Sequence, residues 1–413
     1  KDGQTINIID TKREGRIQSV NFFMSNVREQ VGELGAGNIP ALLGLADARA
    51  GQTISTVKGI DLFEPSKYVS EPVIQMAIEP KHPKDLPQLV ETLRKLTIED
   101  PNLIIKIDEE TGETIMAGMG VLHLDVSVNL IKDAKIDIIT SEPLINYRET
   151  ILGSSEVVMA KSPNRHNKIF MRVEPLEPEI AEMCRDGTLS EMKDKKETMQ
   201  ILRDHGWEPD VAKKVMRFDS RGNVMINGTK GVQFVDESTD SLLSGFDDLI
   251  NEGGLAKEQV RNCKFTFTHF VPHEDTAHRG LSQLGPASRR ACLGAFLSAE
   301  PIILEPMLAI EIRVPTDLIG NVSSVLQGKR GKVLDMQQKG AASIVIGEIP
   351  AVETFDISEK MRGQTAGKAV WNSHFKAWTP VPKSIGATLL QEIRKRKGLS
   401  PEPPQASEFI DKE

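Results

Sequence analysis

The sequence predicts an α+β chain of several domains, and three observations carry that expectation. The element order β-α-β-β-α-β occurs twice, over residues 73–139 and again over 307–375. The stretch between them, residues 150–305, mixes short strands with two or three helices, the pattern of an α+β domain. Residues 1–66 are rich in short β signals bounded by glycine turns, as in a partial β-barrel.

The barrel signals are residues 16–23 (Arg-Ile-Gln-Ser-Val-Asn-Phe-Phe), Gly35-Ala-Gly37-Asn-Ile and Gly51-Gln-Thr-Ile-Ser-Thr-Val. The first repeat reads as strand 73–78, helix 86–96 after a proline-rich lead-in, and strands 104–108 and 114–117. These strands flank Glu109-Glu-Thr-Gly112, a hairpin turn with glycine where positive φ is wanted. Helix 121–132 then puts Leu122, Val126 and Leu130 on one stripe, and strand 136–139 closes the unit. The second repeat reads as strand 307–314, helix 317–327 after Pro315, strands 332–338 and 343–349, helix 355–362 and strand 369–375. Its turns are Gly328-Lys-Arg-Gly331 and Lys339-Gly340. Both repeats follow the split ferredoxin-like order.

Between them, strands 156–160 and 169–173 surround the loop Lys161-Ser-Pro-Asn-Arg-His-Asn-Lys168, and a charged helical stretch runs from 178 to 217. Phe218-Asp-Ser-Arg-Gly-Asn-Val turns into another strand, and helix 241–252 stops at Gly253-Gly254. An alternating strand sets Cys263, Phe265 and Phe267 against Lys264, Thr266 and Thr268, then runs into Pro272. A polar loop follows up to Gly285-Pro286. Pro286 opens a helix to 299 with Cys292, Ala295, Phe296 and Ala299 on one face. Helix 385–395 leads into Arg394, Lys395, Arg396 and Lys397, where cations suit the helix dipole and a solvated helix end is expected. Pro401-Glu-Pro-Pro404 and an acidic tail come last.

With 413 residues, the chain has room for two to four cores. No apolar run reaches a membrane span and no signal peptide is visible. Cys184, Cys263 and Cys292 are unpatterned and read as reduced core residues of a cytoplasmic protein. A net charge of −8 argues against general coating of nucleic acid, so any RNA contact must be made locally by basic loops. The opening residues read as mid-domain sequence, so the chain is expected to be an excerpt of something longer.

The loop that follows Pro272 has three readings. One is a solvated turn. A second is a metal site, since His269, His273, Asp275 and His278 are all possible ligands. His273-Glu274 and His278 imitate a zinc motif with one residue too many, and an i,i+5 pair on a helix lies about 140° apart. The third is a resemblance. Asp275-x-x-His278-Arg279-Gly280-x-x-Gln283 is similar to the tip of domain IV of archaeal and eukaryotic elongation factor 2, the ribosomal translocase family. The loop 161–168 resembles that domain's first tip loop. Leu34-Gly-Ala-Gly-Asn-Ile-Pro-Ala-Leu-Leu-Gly-Leu and Ala50-Gly-Gln-Thr look like the end of the β-barrel domain of translational GTPases.

The resemblance covers the whole chain. It implies the end of barrel domain II at 1–66, a ferredoxin-like domain III at 67–148 and domain IV at 149–305. Domain IV would be of the ribosomal-protein-S5-domain-2-like type, with tip loops 161–168 and 271–286. A ferredoxin-like domain V at 306–380 and a C-terminal helix and tail at 381–413 would follow. It implies that His278 is the residue converted to diphthamide. Lys161, Asn164, Arg165, His166, Lys168, Asp275, His278, Arg279, Gly280 and Gln283 would face RNA and tRNA, with Arg279 on phosphate. Lys329 and Arg330 would touch ribosomal RNA of the large subunit. The implied activity is GTP-dependent translocation of tRNA and mRNA by a monomeric cytoplasmic factor. GTP and Mg would sit in a GTPase domain outside this chain, which has no catalytic residue or cofactor of its own. The implied partners are both ribosomal subunits, tRNA–mRNA and the diphthamide-synthesis enzymes, with no membrane. A paralogous ribosome- or RNP-associated GTPase factor and a histidine-based metal protein are the alternatives.

Two further motifs fail on spacing. Gly118-Met-Gly120-Val-Leu-His123-Leu-Asp125 lacks the third glycine of a dinucleotide fingerprint. It resembles the family's Gly-x-Gly-Glu-Leu-His-Leu-Glu, with Val121 and Asp125 in place of the glutamates. Gly363-Gln-Thr-Ala-Gly-Lys368-Ala has three residues between its glycines where a phosphate loop needs four, and no hydroxyl after the lysine.

Overall fold

The computed structural model describes residues 1–413 except 26, 47, 64–70, 108–113, 192–193, 230, 232–233 and 413. The chain divides into two compact units, Lys1–Ile145 and Asn146–Glu413. The turn expected at Glu109–Gly112 lies outside the described residues. Among the described residues no helix is long and apolar enough to cross a membrane.

The first unit opens with two three-stranded antiparallel sheets. One has the order Arg13–Arg16, Thr5–Ile8, Ile54–Ser55, the other Val27–Gln30, Ser19–Met24, Ala41–Leu43. Ile6, Ile8, Ile17 and Val20 form their core. No closed barrel exists among the described residues. The β signal expected over 16–23 falls on the end of one strand and the start of the next, interrupted at Ile17-Gln18, and the strands of the two sheets are only two to six residues long.

The remainder of this unit is a sheet in the order Ile138–Thr140, Ile74–Pro80, Thr114–Gly118, Ile104–Ile107, with helices Leu86–Glu99 and Val121–Asp133. The alternation of Ile74, Met76 and Ile78 buries one face of the central strand, and Leu89, Leu93 and Leu96 of the first helix are buried too. The second helix corrects an expectation. Leu124, Ser127, Val128 and Ile131 are buried, whereas Leu122 is 76% exposed and Val126 and Leu130 also face outward. This helix carries two apolar stripes, and periodicity alone cannot choose between them. The rotation is fixed by His123, whose Nδ1 accepts the Met119 N–H at 3.1 Å while Nε2 meets Asp100 Oδ2 at 2.8 Å. The histidine of the Gly-Met-Gly segment is thus a structural pin.

The second unit holds two sheets. In the larger, Val370–Pro380, Pro301–Pro315, Ala342–Pro350 and Lys332–Lys339 lie side by side in that order, with helices Ile319–Gly328 and Ile357–Thr365 in the connections. The second β-α-β-β-α-β repeat therefore has the same strand order as the first. Its first strand, 15 residues long, runs unbroken through position 305/306, where a boundary was expected, and also pairs with Arg148–Ile151.

The other sheet runs Val158–Lys161, Lys168–Pro175, Cys263–Val271, Asn223–Asn227, Val215–Asp219. Helices Val235–Asn251 and Leu281–Leu297 belong to its core, which includes Phe246, Phe265, Phe267, Cys292 and Phe296, all 0% exposed. The two helices pack closely at Gly245, where an added Cβ would sit 2.4 Å from the Arg289 amide nitrogen. Both begin earlier than expected. Asp236 and Glu237 favour an early start for one through the dipole at its N-terminus. For the other, Gly280 is the N-cap and Pro286 lies inside, with its ring exposed. A proline there removes one hydrogen bond, a loss offset by burial of Leu284 and Gly285. The charged stretch 178–217 forms three short helices, Pro178–Arg185, Lys195–Asp204 and Pro209–Ala212, with turns at Gly187 and Gly206 in positive φ, and then enters a strand.

The basic end of helix Lys383–Arg396 is solvated at Lys395, Arg396 and Lys397 but not at Arg394. Arg394 is 6% exposed and donates to the carbonyls of Leu255 and Ser400, while Lys397 Nζ reaches those of Ala256 and Lys257 at 3.0 and 2.8 Å. The amides of the same loop point the other way. Leu255, Ala256 and Glu258 donate to the Glu149 carboxyl at 2.7, 2.8 and 3.0 Å. A loop without regular structure thus has both of its backbone edges satisfied by charged groups, of which Glu149 and Arg394 are buried.

Candidate nucleic-acid interface

The loops 161–168 and 271–286 meet at the same end of the five-stranded sheet. They arise from neighbouring strands, since Lys168 pairs with Val271 and Lys161 with Lys168. Short amide side chains join them. Asn164 Nδ2 and Asn167 Nδ2 both donate to the His278 carbonyl, at 2.9 and 2.8 Å. Gln283 Oε1 accepts from the Asn164 amide at 3.0 Å, and Asn167 Oδ1 from the His273 amide at 2.8 Å. Asn167 is fully buried and also donates to Ser162 Oγ at 3.1 Å.

This frame gathers three imidazoles. The rings of His166, His273 and His278 have centroids 4.7–5.1 Å apart, tilted or edge-on to one another. His273 Nδ1 accepts the Asp275 amide at 3.1 Å, and the Asp275 carboxylate accepts the Ala277 amide at 2.9 Å, which caps the turn Thr276–His278. His269 lies apart, its ring 5.3 Å from that of Phe170. Among the described residues no group of three or more His, Cys, Asp or Glu side chains is placed to hold a metal ion.

The expected site residues divide into two groups. Arg165, His166, Asp275 and Gly280 are exposed, and Asn164, Lys168, His278 and Gln283 are half-buried. Arg165 stands at the apex of its loop with φ 62°. The expectations for Arg279, Lys329 and Arg330 need correction, while Lys161 is half-buried and held by a backbone carbonyl. The Arg279 side chain is 6% exposed, lies 3.7 Å over the Phe234 ring and pairs with Glu237 at 2.9 Å, so it braces the loop from inside and does not face a phosphate. Lys161 Nζ donates to the Lys412 carbonyl at 2.7 Å. Lys329 is buried against Asp356 and Glu353, and Arg330 forms a two-pronged pair with Glu305 and a third bond to Glu353. Neither cation of that turn is presented outward. Sequence reading missed Asn167, Glu237 and Phe234. For Asn167 there was a signal, a short amide in a loop free of acids, where such side chains bond backbone.

Family profiles match three stretches of the chain: elongation factor G domain III over residues 69–142, domain IV over 187–300 and the C-terminus over 302–389. Among similar proteins, elongation factor 2 of Cenarchaeum symbiosum is 71% identical over all 413 residues. The chain belongs to the elongation factor G/elongation factor 2 family. Elongation factor 2 proteins of Sulfurisphaera tokodaii and Metallosphaera sedula are 44% and 43% identical over 99% of the chain. The chain spans 57% of the length of the Cenarchaeum elongation factor 2 and 56% of the other two. The domain III match covers the first β-α-β-β-α-β repeat, and the C-terminal match covers most of the second. The elongation factor domain IV match contains the loop 271–286, and the loop 161–168 lies before it.

Proposed function

We propose that this chain is the ribosome- and tRNA-contacting part of a GTP-dependent translocase, with GTP and Mg bound elsewhere in the full-length factor. In this reading the two repeats are the ferredoxin-like domains III and V, and the five-stranded module is domain IV, of the ribosomal-protein-S5-domain-2-like type. The prong at its end enters the decoding site and keeps tRNA–mRNA from slipping back, in the cytoplasm and as a monomer. What carries the reading is the pair of hydrogen bonds that Asn164 and Asn167 donate to the His278 carbonyl, which makes one rigid prong of two distant loops in a family of translation factors. On an acidic chain this prong presents Arg165 and His166 outward, the local cation that RNA contact requires.

His278 is the residue assigned to diphthamide in this reading. Its backbone is fixed while its half-buried ring lies beside those of His166 and His273, so a synthesis enzyme can reach it and the product extends the prong. A peptide spanning His278 from native cells is expected to carry the added mass, and an unmodified mass would remove the assignment. For the prong itself, Arg165→Glu with His166→Ala in the full-length factor is expected to slow single-turnover translocation about tenfold or more, GTP binding being unchanged. Unaltered translocation would rule out the contact.

A further inference from the structure

The outermost strand of the five-stranded sheet, Val158–Lys161, is covered by a segment about 250 residues away in sequence. After Pro403-Pro404, Gln405 and Glu408 close a capping box around the turn Ala406–Glu408. Phe409 and Ile410 then lie over Gly294 of helix Leu281–Leu297, with Ile410 Cγ1 3.0 Å from where a Cβ would stand, and Ile410 packs on the module's core. Asp411 follows the edge strand: its amide donates to the Met159 carbonyl at 2.8 Å, and its carboxylate accepts the Lys161 amide at 2.7 Å. Lys412 accepts the Lys161 ammonium through its carbonyl, and Arg290 lies 3.5 Å from the Asp411 carboxylate.

Lys161 is the last residue of its strand and the first of the loop that carries Asn164, Arg165 and Asn167. Both its amide and its ammonium are taken by residues 411–412. A sheet edge closed in this way loses its free donors, and the loop leaves it in one direction. We propose that residues 405–412 are a positioning strap, with Asp411 setting the exit angle of the loop 161–168 and hence where Arg165 and His166 stand. Asp411 touches no reacting group and acts through Lys161. The functional half of this inference rests on the translocase reading. The structural half does not.

Hydrogen exchange on the chain and single-turnover translocation by the full-length factor test it together. In Asp411→Ala the Lys161 amide loses its acceptor. Exchange at Lys161 and along 162–168 is expected to quicken about tenfold or more, while the core amides of Phe265 and Phe267 keep their protection. The translocation rate at saturating factor is expected to fall, and the factor concentration giving half the maximal rate to stay the same. Asp411→Asn keeps an oxygen for the Lys161 amide and is expected to exchange within about threefold of the unaltered chain. Unchanged exchange at Lys161 in Asp411→Ala, or Asp411→Asn behaving like the alanine variant, would overturn the strap. Faster exchange with an undiminished translocation rate would overturn its functional role. An unaltered factor that does not drive translocation would strike the proposed function instead, leaving the exchange result to stand.

Discussion

Glu149→Ala is expected to lower the stability of the second unit by about 3–5 kcal/mol at pH 6. The side chain is 0% exposed and accepts three amides from the loop 255–258. Alanine leaves those amides buried and without an acceptor, and the loop's other edge remains tied to Arg394 and Lys397, so it cannot swing out to water. Trp207, Trp371 and Trp378 all lie in this unit, and their fluorescence in a denaturant titration reads the loss. A midpoint within error of the unaltered chain would show that the loop does not depend on Glu149.

The same residue gives the unit a pH dependence of definite sign. Burial pushes the Glu149 carboxyl from 4.5 up to about 7, against the pull of its three amide donors. The folded state therefore binds more protons than the unfolded state between these values. Stability falls as pH rises from about 4.5 to about 7, by about 3 kcal/mol for a gap of this size, and then levels off. Glu258 is also raised by burial, despite Lys397, and acts in the same direction. Glu149→Gln cannot ionise and is expected to flatten most of that slope.

Asn167→Ala has the largest expected effect on the prong. This buried side chain donates to the His278 carbonyl and Ser162 Oγ and accepts the His273 amide. Its loss is expected to cost the loop pair about 2–4 kcal/mol, because the His273 amide loses its acceptor and the His278 carbonyl one of its two donors. Amide exchange around His273 and His278 should quicken accordingly, with the helices below unaffected. In the full-length factor the translocation rate should fall without loss of GTP binding. Asn167→Asp keeps the acceptor but turns oxygen toward the His278 carbonyl, so it is expected to do at least as much damage. Protection unchanged in both variants would mean that the loops hold together by other contacts.

Much of the fold was legible because its signals were local. Alternation at Cys263, Phe265 and Phe267 and a helical face at Cys292, Ala295 and Phe296 each follow from one periodicity, and all six are buried. Helix Val121–Asp133 had two candidate faces, and a bond from His123 to a distant aspartate decided between them. The barrel expectation rested on short strand signals and on a resemblance over 34–53, and strand signals carry no information on closure. At the site, Lys161 and Lys168 could be read as the two ends of one loop between adjacent strands, whereas the arrival of the second loop at the same end depends on the long-range pairing of Lys168 with Val271. The roles of Arg279, Lys329 and Arg330 were not, because a cation reads the same in sequence whether it faces solvent or an acid supplied from elsewhere in the chain.

Arg165 has φ 62°, a conformation that costs a side-chain-bearing residue roughly 1–2 kcal/mol relative to glycine. Glycine at the apex would thus make the prong more robust and leave it without a cation. A screen for thermal tolerance would select that replacement, and, in the proposed reading, a screen for work on RNA would discard it. Position 165 is where durability and use pull in opposite directions.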